Sequence, residues 1–216
     1  MKFEPAPAAY AQGVGESFVY RSEAVYALTM RALYGRHYGA RDRVVAELVP
    51  PGAEVLDVCC GPATLYRRGL REKGVRYRGL DLNPRFVARL GALGIRADVW
   101  DASEPAALPP ADIVTMQASL YHFLPDPRPV LERMLAAARD RVIVSEPVRN
   151  LSDSRFAPLA AIGRQATRVG AGGAQRFDEP RLDALMDGYS DAVRERFLLP
   201  GGREKIYVLR GSRADS

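Results

Sequence analysis

Three aspartates stand at or near the ends of short apolar runs, spaced so that they could share one ligand. Asp57 sits in Val55-Leu56-Asp57-Val58 and is followed by Cys59-Cys60-Gly61-Pro62-Ala63-Thr64. Such a turn of small residues lets backbone approach a ligand and leaves free N–H groups where the next helix begins. A carboxylate pointing into it, with no lysine or arginine beside it in sequence, attracts a cation or a polar donor such as the ammonium of an amino acid, and repels a pyrophosphate. Asp81 follows 24 residues later, after Tyr77-Arg78-Gly79-Leu80, where an acid can accept both vicinal hydroxyls of a ribose. Asp98, with Asp101 as its competitor, is placed to take an exocyclic amine, Val99 to offer a backbone N–H, and Leu82 or Trp100 to cover a ring face. Together these groups describe a ligand carrying an α-amino group, a ribose with two free hydroxyls, and an adenine.

The elements that must hold these residues alternate between short β-branched runs and longer helical patterns, which is an α/β signature. Strands are expected at Glu54 to Val58, Arg76 to Leu80, Asp112 to Met116, Arg141 to Ser145, Ala192 to Leu199 and Glu204 to Leu209, with a weak one at Ile95 to Ala97. Helices are expected from Thr64 to Lys73, from Pro84 to Leu93, and from Pro127 or Pro129 to about Ala138; the first two end at Gly74 and Gly94. The final pair of strands is joined only by Leu199-Pro200-Gly201-Gly202-Arg203, too short for a helical crossover, so it must be an antiparallel hairpin. Two segments fall outside the alternation. Residues 1–42, with a tyrosine-bearing helix over 16–33, read as an N-terminal helical cap, and 147–180 as a helical insertion near the substrate pocket of a domain spanning 43–212.

Over residues 42–210 the chain resembles the class I S-adenosylmethionine-dependent methyltransferases. Their first motif, acid-x-Gly-x-Gly-x-Gly, is matched by Asp57-Val58-Cys59-Cys60-Gly61-Pro62-Ala63 with cysteine and alanine at the outer glycines. Asp81, Asp98, Asp112-Ile113-Val114, Leu120-Tyr121-His122 and Phe177-Asp178-Glu179-Pro180-Arg181-Leu182 continue the resemblance. Where the family usually has a Pro-Gly-Gly turn, Ala136-Ala137-Ala138-Arg139-Asp140 stands instead and is expected to be a surface loop. The resemblance implies a three-layer, doubly wound, seven-stranded sheet, mostly parallel, whose last strand inserts antiparallel. It implies S-adenosyl-L-methionine as cofactor, held by Asp57, Cys59, Gly61, Pro62, Asp81, Leu82, Asp98, Val99, Trp100, Gln117 and Ala118. Methyl transfer then needs an aligned nucleophile, and a base only if the acceptor arrives protonated. His122 is the first candidate, with Tyr121 and Glu146 beside it.

Composition narrows the partners. A chain of 216 residues, 47% hydrophobic and 26% charged, suits one domain with an ordinary core. No apolar run reaches membrane-spanning length and the start lacks a signal-peptide pattern, so a cytoplasmic monomer or homodimer is expected. The two cysteines, Cys59 and Cys60, are adjacent, which leaves no material for a structural bridge or a four-ligand zinc site. The formal charge of +5 comes from scattered arginines without a basic run. The Asn-Pro-Pro-aromatic signature of amino-directed nucleic-acid methyltransferases is replaced by Gln117-Ala118-Ser119-Leu120. Both observations favour a small-molecule acceptor over nucleic acid. The alternatives are a non-catalytic cofactor-binding regulator and a tRNA or rRNA methyltransferase.

Overall fold

Seven strands form one sheet in the order β3-β2-β1-β4-β5-β7-β6. They are β1 (Glu54–Val58), β2 (Arg76–Asp81), β3 (Ala97–Val99), β4 (Ala111–Gln117), β5 (Ala138–Pro147), β6 (Val193–Leu198) and β7 (Glu204–Arg210). Neighbours from β3 to β5 pair parallel, whereas β7 pairs antiparallel with both β5 and β6, as the short hairpin loop requires. The computed structural model describes residues 39–149 and 176–212. These belong to one of two units into which the chain divides, Arg36–Arg149 with Gln175–Ser216; the other is Met1–Gly35 with Asn150–Ala174. The helix expected over 16–33 and most of the expected cap and insertion lie outside the described residues.

Apolar alternation explains how both sheet faces are covered. Val55, Tyr77, Ile113, Ile143, Ile206 and Val208 pack on one face against α1 (Ala40–Glu47), Leu65, Leu70 and Leu90 of α2 (Pro84–Ala92). The intervening Leu56, Val58, Val114, Met116, Val142, Val144 and Tyr207 pack on the other, against α3 (Arg128–Ala137) and α4 (Glu179–Asp187). A sheet buried on both sides reads as near-continuous hydrophobic runs, which is why β4 and β5 were legible. Asn83 caps α2 by accepting from the Arg85 amide at 3.0 Å, and Asp178 caps α4 by accepting from the Arg181 amide at 2.9 Å. The chain reverses its direction across the sheet between β1 and β4, so a crevice opens at the C-terminal ends of these strands, the place where open α/β sheets bind ligands.

Three expectations need correction. The weak third strand lies at Ala97–Val99 and not at Ile95 to Ala97. Ile95 is taken by the exit of α2: its N–H donates to the Leu90 carbonyl at 2.9 Å, across Gly94 at φ 70°, a helix-terminating pattern that sequence periodicity does not mark. The helix expected from Thr64 to Lys73 forms, but it widens into a π turn over Tyr66–Leu70 and tightens into a 3-10 turn over Arg71–Lys73. That path seats Gly69 on α1, where an added Cβ would stand 2.5 Å from the Ala46 methyl. Residues Ala136 to Asp140 are no surface loop: α3 runs directly into β5 at the buried pair Ala137 and Ala138. Gly211 closes against Ala138 so tightly that a Cβ there would meet its carbonyl oxygen at 2.3 Å.

Candidate active site

The turn after β1 is built on left-handed backbone. Cys59, Gly61 and Ala63 have φ of 59°, 53° and 51°, a region L-residues enter at a cost of roughly 1–2 kcal/mol and glycine enters freely. The turn is pinned to the tip of β2. The Cys60 N–H donates to the Leu80 carbonyl at 3.0 Å, and the Gly61 N–H donates to Asp81 Oδ2 at 2.7 Å. Asp81 Oδ1 accepts from the Asn83 N–H at 2.8 Å. Desolvation raises the Asp81 pKa while these two amides pull it back down. Each oxygen keeps a further lone pair, so the carboxylate is fixed in place and still able to accept two hydroxyls. Beside it, Leu82 and Val99 remain 37% and 52% exposed, which gives apolar surface at the mouth of the crevice.

Asp57 departs from expectation. Alternation along β1 turns its side chain onto the sheet face that carries Tyr77, whose hydroxyl donates to Asp57 Oδ2 at 2.8 Å. The carboxyl is 3% exposed and does not stand open in the turn. Burial pushes its pKa up to about 7, against the opposing effect of the Tyr77 hydrogen bond. Gly79 on β2 leaves room for this arrangement, since a Cβ there would lie 2.6 Å from Cys60 Sγ. Both thiols are pushed well above their ordinary range, chiefly by desolvation; Asp81, Asp57, Glu146 and Asp101 add their negative charge at Cys59. The cysteines therefore stay protonated and serve packing.

Asp98 and Asp101 separate in the structure. Asp98 lies within β3, and Arg78 Nε donates to its Oδ2 at 2.6 Å. Trp100 continues the pairing by donating its N–H to the Asp81 carbonyl at 3.0 Å, so Asp101 follows at the strand tip. Its Oδ1 accepts from the Ser103 N–H at 2.8 Å and from the Ser103 hydroxyl at 2.6 Å. The Trp100 ring packs on the core cluster of the α3 face, with Nε1 buried and without an acceptor among the described residues. Gln117 Oε1, at the end of β4, is likewise buried without a donor.

On the β4–β5 side the chain turns at Ala118, φ 50°. Glu146, 0% exposed at the end of β5, accepts from the Ser119 and Leu120 amides, both through Oε1 at 2.6 Å. Burial raises its pKa to about 7 although both amides and nearby arginines oppose the rise. Glu146 thus holds the short 3-10 turn Leu120–Phe123, which presents Tyr121 and His122 with ring centroids 4.1 Å apart. The Arg176 guanidinium covers the Tyr121 ring at 4.3 Å from its centroid. His122 keeps an exposed edge, and desolvation with the Arg176 charge holds its imidazole below the usual histidine value.

Asp81, Leu82, Val99, Gly61 and Asp101 thus stand at or beside the tips of β1 to β3, while Asp57 accepts from Tyr77 and Asp98 from Arg78. Pro62 and Ala118 shape the backbone on either side of the crevice. Tyr77, Arg78 and Arg176 escaped the sequence reading. The first two carried a signal, because the period of two places Tyr77 opposite Val55 and Arg78 opposite Leu56 once β1 and β2 are paired. Arg176 carried none, since it reaches the site from a segment without periodicity.

This strand order, with an antiparallel β7 and an acid-lined crevice at the switch point, is the class I S-adenosylmethionine-dependent methyltransferase fold. Solved structures share it. A S-adenosylmethionine-dependent methyltransferase from Aquifex aeolicus is 14% identical with a TM-score of 0.58, over 86% of this chain and 98% of that one. Magnesium protoporphyrin IX methyltransferase from Synechocystis, solved with bound S-adenosylhomocysteine, is 15% identical with a TM-score of 0.59, over 94% and 93%. An O-methyltransferase family protein from Burkholderia thailandensis is 17% identical with a TM-score of 0.61, over 94% of this chain and 64% of that one. The family model described as methionine biosynthesis protein MetW matches residues 40–168, and the chain belongs to that family. Curated protein sequences gave no match.

Proposed function

We propose that the protein binds S-adenosylmethionine in the crevice and transfers its methyl group to a small-molecule acceptor on the β4–β5 side. The observation that carries this reading is Asp81, whose carboxylate is held at the rim by the Gly61 and Asn83 amides with lone pairs left for two vicinal hydroxyls. Bound S-adenosylhomocysteine in the Synechocystis relative supports the same ligand class.

The described residues fit that cofactor. Leu82 and Val99 offer apolar surface to the adenine. Asp101 at the tip of β3 takes the exocyclic amine in preference to Asp98, which Arg78 engages. Gln117 Oε1, buried and lacking a donor, suits the ammonium end. The cofactor supplies a methyl group already activated by its sulfonium, so the chain's own residues need to orient the acceptor and exclude water. Tyr121 and His122 line the acceptor side. With its lowered pKa, His122 is neutral near pH 7 and able to take a proton there from a hydroxyl acceptor.

A second reading, cofactor binding without turnover, draws on one observation: Glu146 is wholly buried, with Oε1 occupied by backbone amides, and acts through the turn it holds. Titration calorimetry with S-adenosylmethionine, S-adenosylhomocysteine and NAD tests the main reading. Heat with both sulfur nucleosides and none with NAD is expected. Silence with both would remove the basis for it, and binding with no conversion of S-adenosylmethionine to S-adenosylhomocysteine in the presence of any acceptor would favour the second reading.

A further inference from the structure

Arg176 stands just before α4 and lays its guanidinium over the Tyr121 ring. Stacking uses the face of the guanidinium and leaves its in-plane donors for a planar acceptor. The Nε of Arg176 is buried and has no acceptor among the described residues. Such a donor is rare in folded proteins, because it has given up water and received nothing in return. Its charge is felt at His122 and at Glu146, yet no salt bridge joins Arg176 to Glu146. Glu146 accepts from the Ser119 and Leu120 amides through Oε1, and its Oε2 is buried without a donor among the described residues. A guanidinium and a buried carboxyl thus stand on this side of the crevice, each with a hydrogen-bonding position unfilled among the described residues.

We infer that the methyl acceptor carries a carboxylate, which is bound through the in-plane donors of Arg176 beside Tyr121 and His122. The inference rests on the methyltransferase reading and names its substrate class. A planar carboxylate matches the fork of a stacked guanidinium. Asp81 and Asp101 stand at the neighbouring strand tips, where their charge repels a phosphate dianion about twice as strongly as a carboxylate monoanion.

The test uses the full-length protein labelled with 15N-arginine and saturated with S-adenosylhomocysteine, whose binding is first verified by calorimetry. The Arg176 Nε–H resonance is assigned by its loss in Arg176→Lys. Acetate, propionate, benzoate and 4-hydroxybenzoate are then titrated, each beside its methyl ester, together with phenyl phosphate. At least one carboxylate should move the resonance while its ester does not, and Arg176→Gln should weaken that carboxylate's binding on the order of tenfold to a hundredfold. An Arg176 resonance indifferent to every carboxylate, equal effects of acid and ester, or a preference for phenyl phosphate would overturn the inference alone. Failure to bind S-adenosylhomocysteine would instead bring down the reading beneath it. If Arg176→Gln loses S-adenosylhomocysteine binding as well, the milder Arg176→Lys decides: it keeps the charge and loses the fork, and it should weaken the carboxylate selectively.

Discussion

The two halves of the crevice are held by different means. On the β1–β2 side, positions are set by backbone: left-handed residues at 59, 61 and 63, and amides of Gly61 and Asn83 aimed at one carboxylate. On the β4–β5 side, one buried carboxylate, Glu146, orders a turn whose working groups are stacked side chains, Tyr121, His122 and Arg176. Backbone geometry suits a ligand that never changes, because each contact is fixed before binding. Stacked side chains on a short turn can be exchanged without rebuilding the sheet, which suits the part of a site that sets acceptor choice.

The sharpest way to break this contrast is at its two carboxylates. Asp81→Ala removes an acceptor for two hydroxyls and the anchor of the Gly61 amide, so S-adenosylhomocysteine affinity should fall by at least on the order of a hundredfold; Asp81→Asn should lie between it and the parent. Calorimetry measures both, and an unaltered affinity in Asp81→Ala would remove the assigned ribose contact. Glu146→Ala leaves two buried backbone donors without an acceptor, which should cost about 3 kcal/mol in urea unfolding. Glu146→Gln keeps an acceptor and should cost well under half of that. Cofactor affinity of Glu146→Gln should stay within a few-fold of the parent, whereas binding on the acceptor side should change.

The same contrast explains what could be read from sequence. β1, β4 and β5 and the closing hairpin follow from apolar runs and loop length, and Asp81 from its distance to the small-residue turn, because spacing along the chain maps directly onto neighbouring strand tips. The side-chain half was less legible. At Glu146, residue type shows that a carboxylate is present and not that the Ser119 and Leu120 amides donate to it. At Asp57, the hydrogen bond from Tyr77 is invisible along the chain, because Tyr77 lies on another strand and only the pairing of β1 with β2 brings them together. The place of β3 was hidden for a related reason: a helix exit at Gly94 and Ile95 moves it by two residues, which leaves Asp98 within the strand and Asp101 beyond its end.

The buried acids also divide the pH response. Asp57 and Glu146 have folded-state pKa values of about 7, above their unfolded values of 3.8 and 4.5. The stability they contribute is fully present below the unfolded values and is lost as pH rises through about 7. Asp112, lowered by the Glu54 amide and Arg139, works in the opposite direction and loses its contribution as pH falls. Asp57→Asn removes one titration while keeping an acceptor for Tyr77. Relative to the parent, it should therefore be more stable at pH 8 than at pH 5, by about 1–2 kcal/mol once relaxation is allowed for. Equal differences in urea midpoint at the two pH values would show that Asp57 is ionised throughout.

The smallest expected effect on stability lies in the turn itself, and there stability and binding part company. An added Cβ at Gly61 meets no atom within 4 Å, so Gly61→Ala suffers only the left-handed strain of φ 53°, about 1 kcal/mol. Cys59 and Ala63 already carry that strain at φ 59° and 51°. Ala63→Gly relieves it but loses a buried methyl and adds unfolded-state freedom, so its net change should be within about 0.5 kcal/mol. The open space beside Gly61 is where the proposed cofactor approaches the backbone, and a methyl there would collide with the ligand while touching nothing in the protein. Gly61→Ala should thus lose S-adenosylhomocysteine binding far out of proportion to its stability, and Ala63→Gly should lose little of either. Urea unfolding and calorimetry on the same two variants provide the comparison. Equal binding by Gly61→Ala and the parent would place the ligand elsewhere and sever the link between the left-handed turn and the site.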